Sequence, residues 1–343
     1  MFARSSAALR IANGFDFHPF RGILTVGFSL GEPAGLFSCF CGESSGWLPW
    51  WPMDFEEFLR QVTPLLGLQA RPLRRRGVRR RVERRLGEIG LSSLAAYLTR
   101  VKEEAAERTQ LTTLLTVTIS RFFRDREVFD TLEGSVIPDL LRRKGSGEFK
   151  VWSAGCASGE EPYSFVLLWK VKFEKSRPGV SLLVLATDID EAMLMRAKEG
   201  RYKKSSVREV PEGVVRDFFQ LDGDQYTLNA AIRERVEFRR HDFLRDDPSA
   251  DMDMIFCRNV AFTYFSKETQ VKVLHKIFRS LGRTGYLVVG KEESLPLHFP
   301  TMFILAYPGK GIYQRFEGSE REWANRGGEE APGDRRLSQE ENP

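Results

Sequence analysis

The stretch VWSAGCASGEEPYS, residues 151–164, decides the fold. A short buried strand over residues 149–153 runs into Gly155, Ala157 and Gly159, and a helix begins near Glu160. Small residues let the backbone of such a turn approach a ligand closely, and the helix N-terminus behind it offers free N–H groups. Alone, a glycine-rich strand-to-helix turn is compatible with packing or with any nucleotide. Two features argue against a phosphate. No Lys-Ser or Lys-Thr pair of a P-loop follows, and two carboxylates, Glu160 and Glu161, stand directly behind the turn. Carboxylates there repel pyrophosphate and attract the ammonium and sulfonium of S-adenosylmethionine.

Outward from this turn the chain alternates. A helix is expected over residues 161–173, a strand over 181–187, a helix over 190–198, a strand over 253–257, a helix over 266–281 and a strand over 285–289. That order predicts an α/β domain with a mostly parallel sheet. The second strand ends in ATDID, residues 186–190, where an acid in α/β nucleoside binders grips ribose hydroxyls. The plainer reading is that Asp188, or more readily Asp190, merely caps the next helix. The segment 201–237, a helix with short polar strands, is read as an insertion.

Upstream, residues 53 to about 132 read as helix. Asp54 stands three residues before Glu57 as in a capping box, and Phe55, Phe58, Leu59, Val62, Leu65 and Leu66 form one apolar stripe. Val78, Val82 and Leu86 make a second line surrounded by arginines, and further helices are expected over 91–102 and 108–119. Residues 1–52, rich in Gly, Phe, Ser and Pro, hold no sustained period, and Asn13, Gly14, Asp16 and His18 interrupt any signal-peptide core. Regular patterning resumes at Met53, which we expect to be the natural start; a native chain found by mass spectrometry to begin at Met1 counts against this. The division expected is an irregular extension over 1–52, a helical domain over 53–140, an α/β domain over 141–316 carrying the insertion, and a disordered charged tail over 317–343.

Composition narrows the function. Hydrophobic and charged fractions of 42% and 29% are those of a globular protein, and no run of 18 apolar residues predicts a membrane span. Cys39, Cys41, Cys156 and Cys257 are too few and too unevenly placed for a disulfide framework, which fits a reducing cytoplasm. The four histidines lie far apart, so no metal site is expected. The net charge of +5 is modest, but residues 71–85 hold nine arginines in fifteen positions. Such a field attracts nucleic acid, anionic lipid or an acidic protein face, and charge alone does not choose among them.

TVTISRFFRD (116–125), SAGCASGEEPYS (153–164), ATDID (186–190) and FCRNVAFTYF (256–265), in this order, resemble the chemotaxis receptor glutamate methyltransferases, the CheR family. The similarity spans roughly residues 53–316, including DFEEFL (54–59) and RRRGVRRRVERRL (74–86). It implies a Rossmann-like class I methyltransferase sheet, an N-terminal all-helical domain and a small inserted β subdomain, with S-adenosyl-L-methionine as cofactor. It also implies roles. Arg124 matches an arginine beside the methionine part and the reacting centre. Thr118 and Ser120 stand where the family has an N-x-T pair, a departure that keeps hydroxyls. Glu161 matches the acid that holds the methionine ammonium, and Asp188 the acid that holds the ribose. Asp242 and Phe243 replace a usual Asn-Leu near the adenine, and Arg258 and Asn259 match pocket-lining positions. Three residues, Ala261, Phe262 and Thr263, precede Tyr264 where the family often has two, so Tyr264 is the expected counterpart of a shifted tyrosine. Arg124 and Tyr264 are the expected catalytic residues.

Plainer roles stand beside these. Arg124 can pair with Asp125 or Glu127 on a helix surface, Tyr264 can be structural, and Cys156 and Cys257 read as small buried residues. The implied partner is the cytoplasmic domain of a methyl-accepting chemoreceptor or a similar acidic helical protein, met by a monomer without nucleic acid. The loop QLDGDQ (220–225) is short, whereas family members that dock a receptor-tethered pentapeptide tend to have a longer glycine-containing loop; no such dependence is expected. An RNA or small-molecule methyltransferase and a non-catalytic cofactor-binding protein remain the alternatives.

Overall fold

The computed structural model describes residues 53–116, 120–247, 251–296 and 302–316. The extension expected over 1–52, the tail over 317–343 and Thr118 lie outside them.

Helix α1 (Phe55–Leu65) starts where the Asp54 carboxylate accepts from the Glu57 N–H at 2.8 Å. It buries Phe55, Phe58, Leu59 and Val62, with Leu66 just beyond its end. Leu65 departs from the expected stripe and is 48% exposed. It is the last helical residue and lines an open cleft, so what covers the earlier members of the stripe does not reach it. Helix α2 (Arg76–Glu88) buries Val78, Val82 and Leu86 as one line and leaves Arg76, Arg79, Arg80 and Arg84 exposed, with Arg81 and Arg85 half-buried. Helices α3 (Leu94–Glu103) and α4 (Ala105–Leu115) complete the bundle. Arg85 of α2 and the Tyr97 hydroxyl of α3 both donate to buried Glu107 of α4, at 2.8 and 2.7 Å. Arg85, then Tyr97, holds the Glu107 carboxyl below its ordinary range against burial. A buried charge supplied with partners from two other helices fixes how the three pack.

After α5 (Arg126–Thr131) and α6 (Ile137–Lys144), the α/β unit runs β1 (Gly147–Ala154), α7 (Glu160–Lys172), β2 (Val180–Asp188) and α8 (Glu191–Glu199). Within the segment read as an insertion lie β3 (Arg201–Lys203), α9 (Lys204–Val207), α10 (Glu212–Phe218), β4 (Phe219–Asp222), β5 (Gln225–Leu228) and α11 (Ala230–Arg233); β3, β5 and β4 form a separate antiparallel sheet. Val236 already belongs to β6 (Val236–Arg240) of the main sheet. Then follow β7 (Met252–Cys257), α12 (Ala261–Tyr264), α13 (Lys267–Ser280), β8 (Leu281–Val289), β9 (Phe303–Tyr307) and β10 (Ile312–Arg315).

The large sheet has the order β6-β2-β1-β7-β8-β10-β9, parallel from β6 to β8 and antiparallel beyond. Strand β1 is buried along its second half because both faces are covered. Phe149 and Val151 pack in one core with Phe165 and Trp169 of α7, and Trp152 and Ala154 in the other with α13 and the N-terminal helices. The helical domain is stitched on by backbone as well: Gln69 N–H donates to Tyr264 O at 2.8 Å and Ser266 N–H to Gly67 O at 2.9 Å. From β1 the chain moves outward through β2 to β6, then returns to lay β7 on the other side of β1. Such a reversal opens a crevice at the strands' carboxyl ends. Among the described residues no helix is long and apolar enough to cross a membrane.

Candidate functional site

The crevice at the reversal is an open cleft between the helical domain and the ends of β1, β2 and β7. Its floor is the quoted turn. Gly155, Ala157 and Gly159 take φ of +80°, +51° and +88°, and the N–H groups of Gly155 and Cys156 both donate to Thr187 O, at 2.8 and 2.9 Å. A Cβ on Gly155 would lie 2.6 Å from Val260 Cγ2, so the turn and the segment after β7 are pressed together.

The acids sort themselves by hydrogen bonding. Asp190 caps α8, accepting from the Ala192 and Met193 N–H groups. Asp188 instead reaches back across the turn and accepts from Ala157 N–H at 2.8 Å and Asp190 N–H at 3.0 Å, while lining the cleft. Burial pushes its carboxyl above the ordinary aspartate range. A carboxylate has about four acceptor sites, so Asp188 keeps acceptor capacity for a ligand hydroxyl beside these backbone bonds. Glu160 turns inward, bonded by Ser158 and Ser120. Glu161 lines the cleft: Ser153 Oγ donates to Oε1 at 2.8 Å, and Arg258 Nη1 approaches Oε2 at 3.4 Å. Burial raises the Glu161 carboxyl, opposed first by Arg258.

Arg258 is 6% exposed, and its Nη2 donates to Asp125 at 2.5 Å and to the Arg124 carbonyl at 3.0 Å. It therefore joins the end of β7 to the loop that carries Arg124. That loop is sharply folded, with Phe123 and Asp125 at φ of +50° and +59°. Left-handed non-glycine residues persist only where their surroundings hold them. Ser164 Oγ accepts from Phe123 N–H at 2.8 Å, and Phe122 packs edge-on against Tyr202 and Phe219 of the inserted subdomain. Arg124 lies half-buried in the cleft wall. The two acids that surface pairing required are engaged elsewhere, Asp125 by Arg258 and Glu127 by Lys291 and Lys310.

Asp242 and Phe243 line the opposite end of the cleft. The Asp242 carboxylate accepts from Leu244 N–H at 2.8 Å, and the Phe243 ring sits among Trp152, His241 and Phe265. Ser120, Asn259 and Tyr264 also border the cleft, Asn259 at φ +57° and Tyr264 at the end of α12 with 5% exposure. All the site residues named from the sequence that fall in the described segments thus share one cavity.

Sequence reasoning missed the residues that hold these in place. Asp125 was considered only as a surface partner, and Ser153 and Ser164 are hydroxyls inside apolar elements, a signal that was available. Lys276 left none: from α13 its ammonium donates to the carbonyls of Phe243 and Asp246, both at 2.9 Å. Cys156 and Cys257 are free and buried, and burial raises both thiols, so neither is a ready nucleophile.

The residues suit a sulfonium nucleoside: three carboxylates, Glu161, Asp188 and Asp242, border the cleft, and the turn beneath has no room at Gly155 for a side chain. Residues 53–116 match the CheR methyltransferase all-alpha domain, and residues 118–308 the CheR methyltransferase SAM binding domain. The chain belongs to the CheR methyltransferase family. Its cofactor is S-adenosylmethionine. A chemotaxis protein methyltransferase of Listeria innocua serovar 6a is 34% identical over 242 residues, covering 71% of this chain and 90% of the relative. Chemotaxis protein methyltransferase 1 of Pseudomonas aeruginosa is 31% identical over 269 residues, covering 76% and 97%. An uncharacterized 104.1 kDa protein of Rhodobacter capsulatus is 33% identical over 219 residues, where the match covers 64% of this chain but 23% of that far longer one.

Proposed function

We propose that this methyltransferase esterifies glutamate side chains on the cytoplasmic domain of a chemoreceptor or a similar acidic helical protein, acting as a monomer in the cytoplasm. The observation that carries the reading is the pair of cleft-lining carboxylates, Glu161 and Asp188, with Arg124 in the wall beside them. In this reading Glu161 takes the methionine ammonium, Asp188 the ribose hydroxyls, and Asp242 and Phe243 the adenine, supported by their sharing one cleft. Ser120 and Asn259 border the same space, and Arg258 orients Glu161 and the Arg124 loop rather than the ligand. When bound, the cofactor supplies an electrophilic methyl group on a positively charged sulfur.

A glutamate carboxylate is already ionised at neutral pH, so no general base is required. Held by Glu161 and Asp188, the cofactor would supply its methyl group to one oxygen of that carboxylate, the sulfur keeping the electron pair of the former carbon–sulfur bond. The products are a glutamyl methyl ester and S-adenosylhomocysteine, and no proton moves. The protein's task is alignment and exclusion of water, which supplies on the order of 7–11 kcal/mol. Arg124 orients the incoming carboxylate, and the Tyr264 hydroxyl donates to it.

Docking falls to the basic helix. Arg76, Arg79 and Arg80 are exposed on α2 with Arg75 just before it, and a surface of that sign attracts an acidic coiled coil. The turn between β4 and β5 is only Gly223 and Asp224, which supports the absence of a tethered-pentapeptide requirement. Family membership favours this reading over the RNA, small-molecule and non-catalytic alternatives.

The test is transfer of labelled methyl from the cofactor to receptor cytoplasmic domains, followed by base treatment. The wild type is expected to leave base-labile label released as methanol, and Arg124→Ala to lose about 10²–10³-fold in rate. Label that survives base, or none on any receptor domain despite tight binding of S-adenosylhomocysteine, refutes the ester reading.

A further inference from the structure

The segment that closes the cleft after β7 is anchored by a group that no role above assigns. Glu293, four residues past β8, is 9% exposed, and its carboxylate meets three donors. Oε2 accepts from the N–H groups of Asn259 and Gly290, at 2.7 and 2.6 Å, and Oε1 from Thr263 Oγ1 at 2.5 Å. The fit is close: a Cβ on Gly290 would lie 2.6 Å from Asn259 Nδ2 and 2.8 Å from Glu293 Oε2.

We propose that Glu293 is a positioning residue for methyl transfer, fixing through Asn259 and Thr263 the segment that carries Arg258, Val260 and Tyr264 into the cleft. The proposal rests on the cofactor reading of that cleft. Asn259 occupies the left-handed region, which asparagine tolerates better than most L-residues, and the carboxylate that accepts from its N–H braces it there. Its neighbours depend on that bend. Arg258 is turned toward Glu161 and Asp125, while Val260 is turned against Gly155. Thr263 is the last of the three residues between Val260 and Tyr264, and its hydroxyl is bound by the same carboxylate, so the segment is anchored at both ends. A carboxylate suits the position because its oxygens accept and all three neighbours donate to it.

The experiment uses the full chain with S-adenosylhomocysteine titration, methyl transfer to receptor domains, and thermal melting on each variant. Glu293→Ala is expected to lower turnover about 10²-fold, the scale of an ångström misplacement, and to weaken S-adenosylhomocysteine about tenfold. Glu293→Gln keeps a carbonyl oxygen for the two N–H groups and an amide that donates to Thr263 Oγ, so it is expected within about threefold of wild type. A merely structural role shows as a lower melting temperature without that pattern of loss and rescue. Wild-type turnover and affinity in Glu293→Ala overturn the proposal, as does a Glu293→Gln variant as impaired as the alanine. Should Glu293→Ala not fold, Thr263→Val against Thr263→Ser decides: loss in the first and recovery in the second support the anchor, and equal activity refutes it. Failure of the wild type to bind S-adenosylhomocysteine would instead count against the cofactor reading itself.

Discussion

Replacing Gly155 with alanine perturbs the floor of the cleft by one methyl group. At φ +80° an L-residue is disfavoured by about 1–2 kcal/mol, before any contact is considered. The new methyl would then stand 2.6 Å from Val260 Cγ2 and 3.1 Å from Cγ1, inside van der Waals contact on a side chain already packed into the cleft wall. Overpacking of this kind costs about 1–3 kcal/mol. Together the two effects destabilise by about 2–5 kcal/mol, which for a unit of this size lowers Tm by roughly 4–20 °C. Calorimetric melting measures the loss, and titration with S-adenosylhomocysteine reports whether the turn has shifted. Val260→Ala relieves the contact but not the backbone, so in a double-mutant cycle the pair is expected to couple favourably by about 1–3 kcal/mol. A Gly155→Ala protein that melts within about 2 °C of wild type and binds S-adenosylhomocysteine equally well refutes the reasoning. Strict additivity with Val260→Ala refutes its steric half.

Burial raises the Glu161 and Asp188 carboxyls, so between the ordinary carboxylate range and the raised values the folded chain holds protons that the unfolded chain has released. Their contribution to stability in the unliganded protein therefore falls as pH rises through that window. A ligand ammonium favours ionised Glu161, so S-adenosylhomocysteine affinity is expected to rise with pH across the same window with proton release; affinity independent of pH from about 4.5 to 7 contradicts this. Docking through the charge of α2 predicts that added salt slows transfer at low receptor concentration while sparing S-adenosylhomocysteine binding. A receptor C-terminal pentapeptide is expected not to bind in calorimetry, and tight binding overturns the untethered reading.

The α/β order, the cofactor turn and the family resemblance were legible because each is written in local spacing: a strand, small residues, then a helix, within a dozen positions. Periodicity alone likewise placed Val78, Val82 and Leu86 on one buried line, since a helix returns to the same face every four residues or so. Leu65 fits that same arithmetic yet is exposed, because burial depends on what another element lays over the position. In the chain Asp188 is the expected ribose acid and Asp190 the readier cap, yet either suits the start of the next helix. Only the folded turn gives one of them the Ala157 N–H and leaves the other to cap α8. Arg258 meets Asp125 across 133 positions, Lys276 reaches the Phe243 carbonyl across 33, and Glu293 holds Asn259 across 34. Local pattern sets the backbone's period and hence the elements. The partner of a buried charge is set by which surfaces the completed sheet and bundle bring within about 3 Å, and that distance exists only once the chain has closed on itself.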